Sequence, residues 1–308
     1  MRIGLISDIH VDINRIDGRE IISDLLAAES RRRGLDILLV AGDLSSDYRL
    51  TLATVDRLAH SSGARVLFIP GNHDIWNERH PELKAWDTYN ALLAHPSNLA
   101  RGPVLLDGNW AIAGDLGWYD FSYGDPSFTF EDFDRMKYGE RTWQDKIKSI
   151  WDRGTLDVHR MFVERLGKAL DTLEGRQILL ATHVVQVPEF TVRPPDAMWK
   201  YFNAFLGSPD YGTLCQERGV TLAVCGHVHY RRTVRKGDTE FVCPCLGYVT
   251  EWPAPPDPAR EIARTLAVYE LDATGARRLP GEGADAEGAT LRRTTSDSAG
   301  ADAASAAS

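Results

Sequence analysis

Short apolar segments alternate with longer amphipathic ones through the first part of the chain. Residues 2–7, 35–40 and 65–70 are rich in Val, Ile, Leu and Phe, which predicts buried strands. Between them, apolar residues recur with helical spacing over residues 17–33 and 49–61. This β-α-β-α-β order predicts strands covered by helices, and right-handed crossovers would place the three strand ends at one edge of a sheet.

The first helix carries its own start and stop signals. Asp17 and Glu20 form a capping-box pattern before the apolar stripe, and Gly34 is placed to end the helix. Further helices are predicted over residues 82–94, 155–173 and 210–218. Further strands are predicted at 103–107, 110–114, 176–181 and 220–224, with an antiparallel meander at 231–236, 240–246 and 266–272.

The segment 117–152 breaks this pattern, because it contains ten aromatic residues without a clean period. It is either an insertion packed on its own aromatic rings or a lid or wall beside an active site, and both interpretations stay open. From residue 275 onward apolar residues are almost absent. The sequence therefore predicts one domain over residues 1–274, including this insertion, and a disordered tail over 275–308.

Composition narrows the class of protein. The chain has 308 residues, 43% hydrophobic and 26% charged, as soluble globular proteins do. A net charge of −9 argues against binding to a nucleic-acid duplex or an anionic membrane. The sequence shows no signal-peptide pattern and no apolar stretch near the ~20 residues that span a bilayer, so a cytoplasmic location is expected. The spacing of Cys215, Cys225, Cys243 and Cys245 fits no zinc-binding pattern, which favours a structural role.

Side chains that bind metals follow five of the predicted strands. They are Asp8 and His10, Asp43, Asn72 and His73, His183, and His227 and His229. The i, i+2 pairs place both side chains on one face of an extended segment. A lone histidine is more often a hydrogen-bonded core residue, but five coincidences at the ends of strands, where α/β sheets bind ligands, predict a metal site.

The segment Gly71-Asn72-His73-Asp74 is central to this pattern. Gly71 lets the backbone turn sharply after a strand. Asn72 then offers a carbonyl oxygen and His73 an imidazole, while Asp74 can fix the orientation of a neighbouring imidazole.

The series Asp-x-His, Gly-Asp, Gly-Asn-His-Asp, a lone His and Gly-His-x-His resembles the calcineurin-like metallophosphoesterase superfamily. The resemblance covers residues 1 to about 250. It implies an α/β fold, a four-layer αββα sandwich in which two mixed β-sheets face each other and helices lie outside. The periodicity alone does not distinguish this architecture from a single doubly wound sheet.

The resemblance also implies a dinuclear metal centre. One metal would take Asp8, His10 and His229, the other would take Asn72, His183 and His227, and Asp43 would bridge them. Carboxylate, amide and imidazole donors suit Mn or Fe, with Zn and Ni as alternatives. A hydroxide bridging two such ions would act as the nucleophile. His73 and Asp74 are the expected catalytic residues, with His73 stabilising the transition state or protonating the leaving oxygen.

Two positions depart from the family pattern. Ser46 stands where some members carry an Asp that orients the catalytic histidine, and Asp47 is displaced by one residue. Either Asp47 or Asp74 is left to orient His73. Residues 184–188, after the lone histidine, are more apolar than a phosphate-binding loop would be.

The function expected from these features is metal-dependent hydrolysis of a small phosphoric ester. The aromatic residues of 117–152 and 199–202 would stack on a flat substituent, which favours a phosphodiesterase acting on a nucleotide-like molecule. A phosphomonoesterase acting on a small metabolite is the alternative, and a catalytically inactive metal-binding regulatory protein is a third hypothesis. The expected partner is a small phosphoester, neither a nucleic-acid duplex nor a membrane, and the sequence does not indicate the oligomeric state.

Overall fold

Two large mixed β-sheets form the centre of the molecule. The computed structural model describes residues 1–281, so residues 282–308, most of the predicted tail, lie outside the described residues. The first sheet has five strands and the second has six. Within residues 1–281, no helix is both long and apolar enough to cross a membrane.

The element bounds follow the predicted order. The strands of the described chain are β1 (Arg2–Ile6), β2 (Arg15–Ile16), β3 (Arg19–Glu20), β4 (Ile37–Ala41), β5 (Arg65–Ile69), β6 (Val104–Leu105), β7 (Trp110–Asp115), β8 (Lys137–Tyr138), β9 (Arg141–Thr142), β10 (Gln177–Thr182), β11 (Leu222–Val224), β12 (Arg231–Lys236), β13 (Thr239–Pro244), β14 (Ala267–Asp272) and β15 (Gly275–Arg278). The α-helices are α1 (Ile22–Arg33), α2 (Tyr48–Ser61), α3 (Ala85–Leu93), α4 (Phe130–Asp134), α5 (Asp145–Lys148), α6 (Thr155–Asp171), α7 (Ala197–Phe202), α8 (Pro209–Glu217) and α9 (Pro258–Thr265).

Both sheets are mixed, with a run of parallel strands and antiparallel pairing at one edge of the first sheet and at both edges of the second. The first sheet has the strand order β15-β14-β1-β4-β5, in which β1, β4 and β5 are parallel and β14 pairs antiparallel with β1. The second has the order β12-β13-β11-β10-β7-β6, with antiparallel pairing only at its two edges. The parallel strands β1, β4 and β5 therefore end at one edge, as the β-α-β-α-β pattern predicts.

The two sheets pack face to face, with helices on their outer faces. Leu39 of β4 and Leu179 of β10 belong to the apolar layer between the sheets. The next residues along these strands alternate with them, so Leu38 and Leu180 point outward and join a second cluster that includes Leu26 of α1. Helices α1 and α2 cover the first sheet, and α6 and α8 cover the second. This arrangement confirms the four-layer αββα sandwich.

The predicted start of the first helix is wrong. Asp17 and Gly18 both have positive φ, 49° and 73°, and form the turn of the β2–β3 hairpin. Helix α1 begins only at Ile22. Glu20 still supports the helix start, because its Oε1 accepts a hydrogen bond of 2.9 Å from the Ser23 backbone nitrogen. Turn formation by Asp-Gly therefore outweighs the capping-box pattern.

The C-terminal strands also differ from the prediction. Strand β14 was expected in a meander with β12 and β13, but it pairs with β1 in the first sheet. The predicted tail began at residue 275, but Gly275–Arg278 forms β15 and pairs with β14. Strand β15 lies at the solvent-facing edge of the sheet and is polar, which is why its residues were assigned to the tail.

Candidate active site

The predicted metal-binding side chains come together at one edge of the sandwich. Asp8, Asp43 and Asn72 follow β1, β4 and β5 of the first sheet, in that order. His183 and His227 follow β10 and β11, which are neighbours in the second sheet. The site therefore lies where the parallel strands of both sheets end.

The backbone at this edge turns back on itself. Of ten described non-glycine residues with positive φ, five belong to the predicted ligands: Asp8, His10, Asp43, His227 and His229. Left-handed backbone at non-glycine residues is costly and clusters at functional sites, where the surrounding structure holds it in place. The turned backbone directs these side chains toward one another.

Two glycines allow the strand-end loops to approach closely. Gly42 has a φ of 88°, and a Cβ there would collide with His183 Nδ1 and with the backbone of Gly71. A Cβ on Gly71 would overlap the Asp43 carboxylate. The glycines of the Gly-Asp and Gly-Asn-His-Asp motifs are therefore required by the contact between the two loops.

The first group of candidate ligands contains Asp8, His10 and His229. The Nε2 atoms of His10 and His229 are 3.3 Å apart, and Asp8 Oδ1 lies 3.6 Å from His229 Nε2. His229 Nδ1 lies 2.7 Å from a carboxylate oxygen of Glu251, which can only accept, so Nδ1 carries the proton. His229 Nε2 is then left with a lone pair that points at the other two ligands.

The second group is centred on the Asn72 side chain. Asn72 Oδ1 lies 3.1 Å from His183 Nε2 and 3.0 Å from His227 Nδ1. The other ring nitrogens of these two histidines donate to the carbonyl oxygens of Ala41 and Phe205, at 2.9 and 3.1 Å. Both rings can therefore direct a lone pair at the Asn72 oxygen.

Asp43 lies between the two groups. One of its oxygens is 3.3 Å from His183 Nε2, and the other is 3.8 Å from His10 Nε2. Burial disfavours a charged His183, but the Asp43 carboxylate outweighs this effect and raises the pKa of His183 to about 10. A positive charge, either a proton or a metal ion, is thus favoured beside Asp43.

This donor set fits metal ions. Lone pairs of oxygens and imidazole nitrogens converge in two adjacent groups, and buried acceptors that face one another repel unless a cation lies between them. His10 Nδ1 is buried and has no hydrogen-bond partner among residues 1–281, and burial together with the nearby histidines holds the pKa of His10 well below its usual value. Neutral imidazoles with carboxylate and amide oxygens are the ligands of first-row transition metals.

Two carboxylates missed by the sequence prediction hold these ligands in place. Glu251 accepts from a ring nitrogen of the first group, as described above. Asp145, in the aromatic insertion, accepts from Asn72 Nδ2 at 2.9 Å and so turns Asn72 Oδ1 toward the histidines. It also accepts from the indole nitrogens of Trp76 and Trp143, both at 2.8 Å. Neither carboxylate belongs to a recognisable motif, so the sequence offers no signal for them.

His73 stands beside the two groups with its ring fixed on several sides. Its Nδ1 lies 3.2 Å from Ser46 Oγ, and its Nε2 lies 3.9 Å from Asp43 Oδ2 and 3.4 Å from the Tyr248 hydroxyl. The ring stacks on Trp76 with a centroid distance of 3.6 Å. Burial and then the neighbouring histidines hold the pKa of His73 well below its usual value.

Asp74 is buried beneath the site and accepts hydrogen bonds from the backbone of the loops that follow β4 and β5. Its Oδ1 accepts from the backbone nitrogens of Leu44 and Ser45, both at 3.0 Å, and its Oδ2 accepts from that of Gly71 at 2.7 Å. Burial, with Asp43 nearby, raises the pKa of Asp74 to about 7. Asp74 therefore braces the two strand-end loops against each other.

The expectation that Asp74 or Asp47 orients His73 is wrong. Asp47 caps α2, where its side chain accepts from the backbone nitrogens of Arg49 and Leu50. Ser46, at the position where some family members carry an Asp, provides the contact to the His73 ring. The sequence spacing had marked this position, but a hydroxyl was not considered for the role.

A cleft with an empty volume of about 820 Å³ opens over the candidate ligands. Its wall includes the aromatic residues Trp76, Trp143, Trp199, Phe202 and Tyr248. The ring centroid of Trp143 lies 5.8 Å from that of His227. Trp143 also stacks on Phe205, while buried residues of the same insertion, such as Phe121 and Phe133, stack on each other. The insertion is thus packed on its own rings and also forms part of the cleft wall. Among residues 1–281, Arg141 is the only arginine or lysine that lines this cleft.

Solved structures with the same fold come from several organisms. Phosphopantetheinyl hydrolase from Mycobacterium tuberculosis is 18% identical, with a TM-score of 0.67 over 83% of this chain and 93% of that one. A dimetal phosphatase from Danio rerio is 16% identical, with a TM-score of 0.54 over 91% and 97% of the two chains. No curated protein sequence matches the chain. At these identities the structures establish the fold alone.

The family follows from the sequence match. The model of the calcineurin-like phosphoesterases matches residues 1–231, which is more than half of the chain and ends just beyond His229. The matched region thus contains every predicted metal ligand. The chain belongs to the calcineurin-like phosphoesterase family, and it is a metal-dependent phosphoester hydrolase.

Proposed function

We propose that the chain hydrolyses small phosphodiesters at a dinuclear metal centre. The observation that carries this proposal is the convergence of acceptors at Asp43, beside His73, in a cleft whose wall is aromatic and whose only arginine or lysine within residues 1–281 is Arg141. A monoester dianion would be better served by further cationic donors. A diester carries less charge and has a second substituent that needs a surface to rest on.

The two groups of ligands would each hold one transition-metal ion. Asp8, His10 and His229 would take the first, Asn72, His183 and His227 the second, and Asp43 would contact both. Mn and Fe suit this set of oxygen and imidazole donors, with Zn and Ni as alternatives. When bound, such ions supply a nucleophile near neutral pH and neutralise charge on the phosphate.

The protein's own side chains would position the substrate and handle the proton. His73, which lines the cleft, would stabilise the transition state or protonate the leaving oxygen, while Ser46 holds the Nδ1 side of the ring. The ring of Trp143 would stack on a flat substituent of the ester, such as a nucleobase. Asp145 would fix the positions of Trp143 and Asn72 relative to each other, because it accepts a hydrogen bond from each of them.

The cysteines bear on the cellular location that we propose. The four cysteines are all buried and free, and the Sγ atoms of Cys243 and Cys245 remain 3.4 Å apart without a disulfide. Free thiols in this proximity suit a reducing compartment, which supports a cytoplasmic location.

The deciding experiment compares two chromogenic esters with one metal-loaded preparation. Bis-p-nitrophenyl phosphate should give a higher kcat/KM than p-nitrophenyl phosphate, and EDTA treatment should abolish both activities. A tenfold preference for the monoester, about 1.4 kcal/mol in transition-state binding, would overturn the diesterase proposal. Inactivity of the metal-loaded protein on a broad panel of esters would favour a regulatory metal-binding protein instead.

A further inference from the structure

Tyr248 lies over the first group of candidate ligands, in a position for which the motifs give no reason. Its ring centroid is 4.7 Å from that of His10 and 4.4 Å from that of His229. Its hydroxyl is 3.4 Å from Nε2 of His73, the proposed catalytic histidine. Tyr248 also lines the cleft, so its hydroxyl faces the space that a substrate would occupy.

The segment around Tyr248 is fixed by side chains that serve the same site. The Tyr248 backbone nitrogen donates to Glu251 at 2.9 Å, the carboxylate that also holds His229. Asn14 binds on both sides of the tyrosine, because its Nδ2 donates to the Gly247 carbonyl at 2.8 Å and its Oδ1 accepts from the Val249 nitrogen at 2.6 Å. Gly247, with a φ of 72°, makes the preceding turn. The phenol is therefore held in place before any ligand arrives.

The cleft also offers little positive charge from the described side chains for binding the phosphate. Arg141, the one arginine or lysine lining the cleft within residues 1–281, lies in the β8–β9 hairpin and contacts Met198 Sδ. A neutral hydroxyl donor next to the reacting group would supply part of what a cation supplies in other anion sites.

We infer that Tyr248 is a catalytic residue that donates a hydrogen bond to an oxygen of the reacting phosphate. This inference rests on the proposed function. The Tyr248 hydroxyl lies beside His73 Nε2 and both residues line the cleft, so the phenol can donate to an oxygen of a phosphate bound next to them. No bond to Tyr248 forms or breaks, and charge that develops on the phosphate oxygens strengthens the contact.

The test uses Tyr248→Phe, which keeps the ring against His10 and His229 and removes only the hydroxyl. Tyr123→Phe is the matched control, because the Tyr123 hydroxyl has no hydrogen-bond partner in the described part of the chain and Tyr123 does not line the cleft. Both variants and the parent protein are loaded with Mn²⁺ and assayed on bis-p-nitrophenyl phosphate. Metal content and the Kd of orthophosphate are measured on the same samples.

Tyr248→Phe should lower kcat by roughly 10- to 100-fold, the range for one hydrogen bond to a charged group, with metal content unchanged. Orthophosphate should bind about tenfold more weakly. The control should match the parent in every measurement. An unchanged kcat and an unchanged phosphate Kd in Tyr248→Phe would overturn the inference, as would loss of metal, which would place the effect on the ligands.

The outcome separates this inference from the proposed function. If the parent hydrolyses no ester, the proposed function fails. The Kd of orthophosphate, compared between Tyr248→Phe and the parent, then decides whether Tyr248 contacts the anion. If the parent is active and Tyr248→Phe is equally active, only the role of Tyr248 fails. A parent protein that does not bind orthophosphate would also overturn the contact.

Discussion

Replacing Glu251 separates the two halves of the proposed metal centre. The Glu251 carboxylate is 2.7 Å from His229 Nδ1 and its side chain is 8% exposed, so the contact is well shielded from water. Glu251→Gln keeps the size and an acceptor oxygen but removes the negative charge. His183 and His227 donate to neutral backbone carbonyls instead, so the change affects the first group of ligands alone.

The expected magnitude follows from the loss of charge. A hydrogen bond to a charged group contributes about 1.5–3 kcal/mol and a neutral one about 0.5–1.5 kcal/mol, so the change costs about 1–1.5 kcal/mol. This corresponds to roughly 5- to 13-fold weaker binding of the ion at Asp8, His10 and His229. Glu251→Ala removes the acceptor entirely and should weaken that ion by about 10–100-fold, the range for outer partners of metal ligands.

The assay is a titration of the metal-loaded protein with a competing chelator, followed by metal analysis. The parent should lose its ions at higher chelator concentration than Glu251→Gln, which should lose one ion early and keep the other. Glu189→Gln is the control, because Glu189 forms a partly exposed ion pair with Lys236. Equal weakening of both ions in Glu251→Gln, or no weakening in Glu251→Ala, would refute this account of the centre.

Three further substitutions test other parts of the site. Asp43→Asn should remove both ions and all ester hydrolysis, since the charge shared by the two groups is lost; two ions at full occupancy would show that Asp43 is not the bridge. His73→Ala should keep both ions but lower kcat by roughly 10²–10⁴, whereas an empty site would show that His73 is a ligand. In Asp145→Asn the side-chain oxygen can still accept from Asn72 and Trp76, so both ions should stay. Its amide nitrogen, however, then faces the Trp143 indole N–H, which leaves two donors opposite each other. The free energy of unfolding in urea should therefore fall by about 1–3 kcal/mol. An unchanged urea midpoint would contradict the proposed contact.

The sequence predicts which side chains converge at the ends of the strands, because strand order and strand ends are local features. Asp8, Asp43 and Asn72 each follow an apolar strand directly, and parallel strands bring such positions to one edge without any detailed knowledge of packing. The histidines of the second sheet lie more than a hundred residues further along the chain. Their approach to the first sheet was inferred from the family resemblance, since periodicity does not show how two sheets face each other.

The residues that orient the ligands could not be predicted in the same way. Glu251 lies in a short 3₁₀ turn and Asp145 in an insertion, and neither follows a strand with a recognisable period. The pairing of β14 with β1 was missed for a related reason, because the apolar pattern of β14 does not show which sheet it joins; in the structure it lies between β15 and β1. Contacts between segments this distant in sequence depend on tertiary packing, which local patterns do not encode.

The family motifs indicate the reaction but not the substrate, because part of the cleft wall belongs to the insertion at residues 117–152. Asp145 binds the Asn72 ligand through Oδ1 and the Trp143 wall through Oδ2, so one carboxylate sets both the metal site and the surface on which a substituent rests. The candidate ligands lie at strand ends of the sandwich, whereas Arg141 and Trp143 of the cleft wall belong to residues 117–152, which the family motifs do not include. A different insertion could therefore keep the same metal chemistry and present a different surface. Substrate preference in this chain is accordingly expected to follow the aromatic wall and Arg141, and not the ligand set.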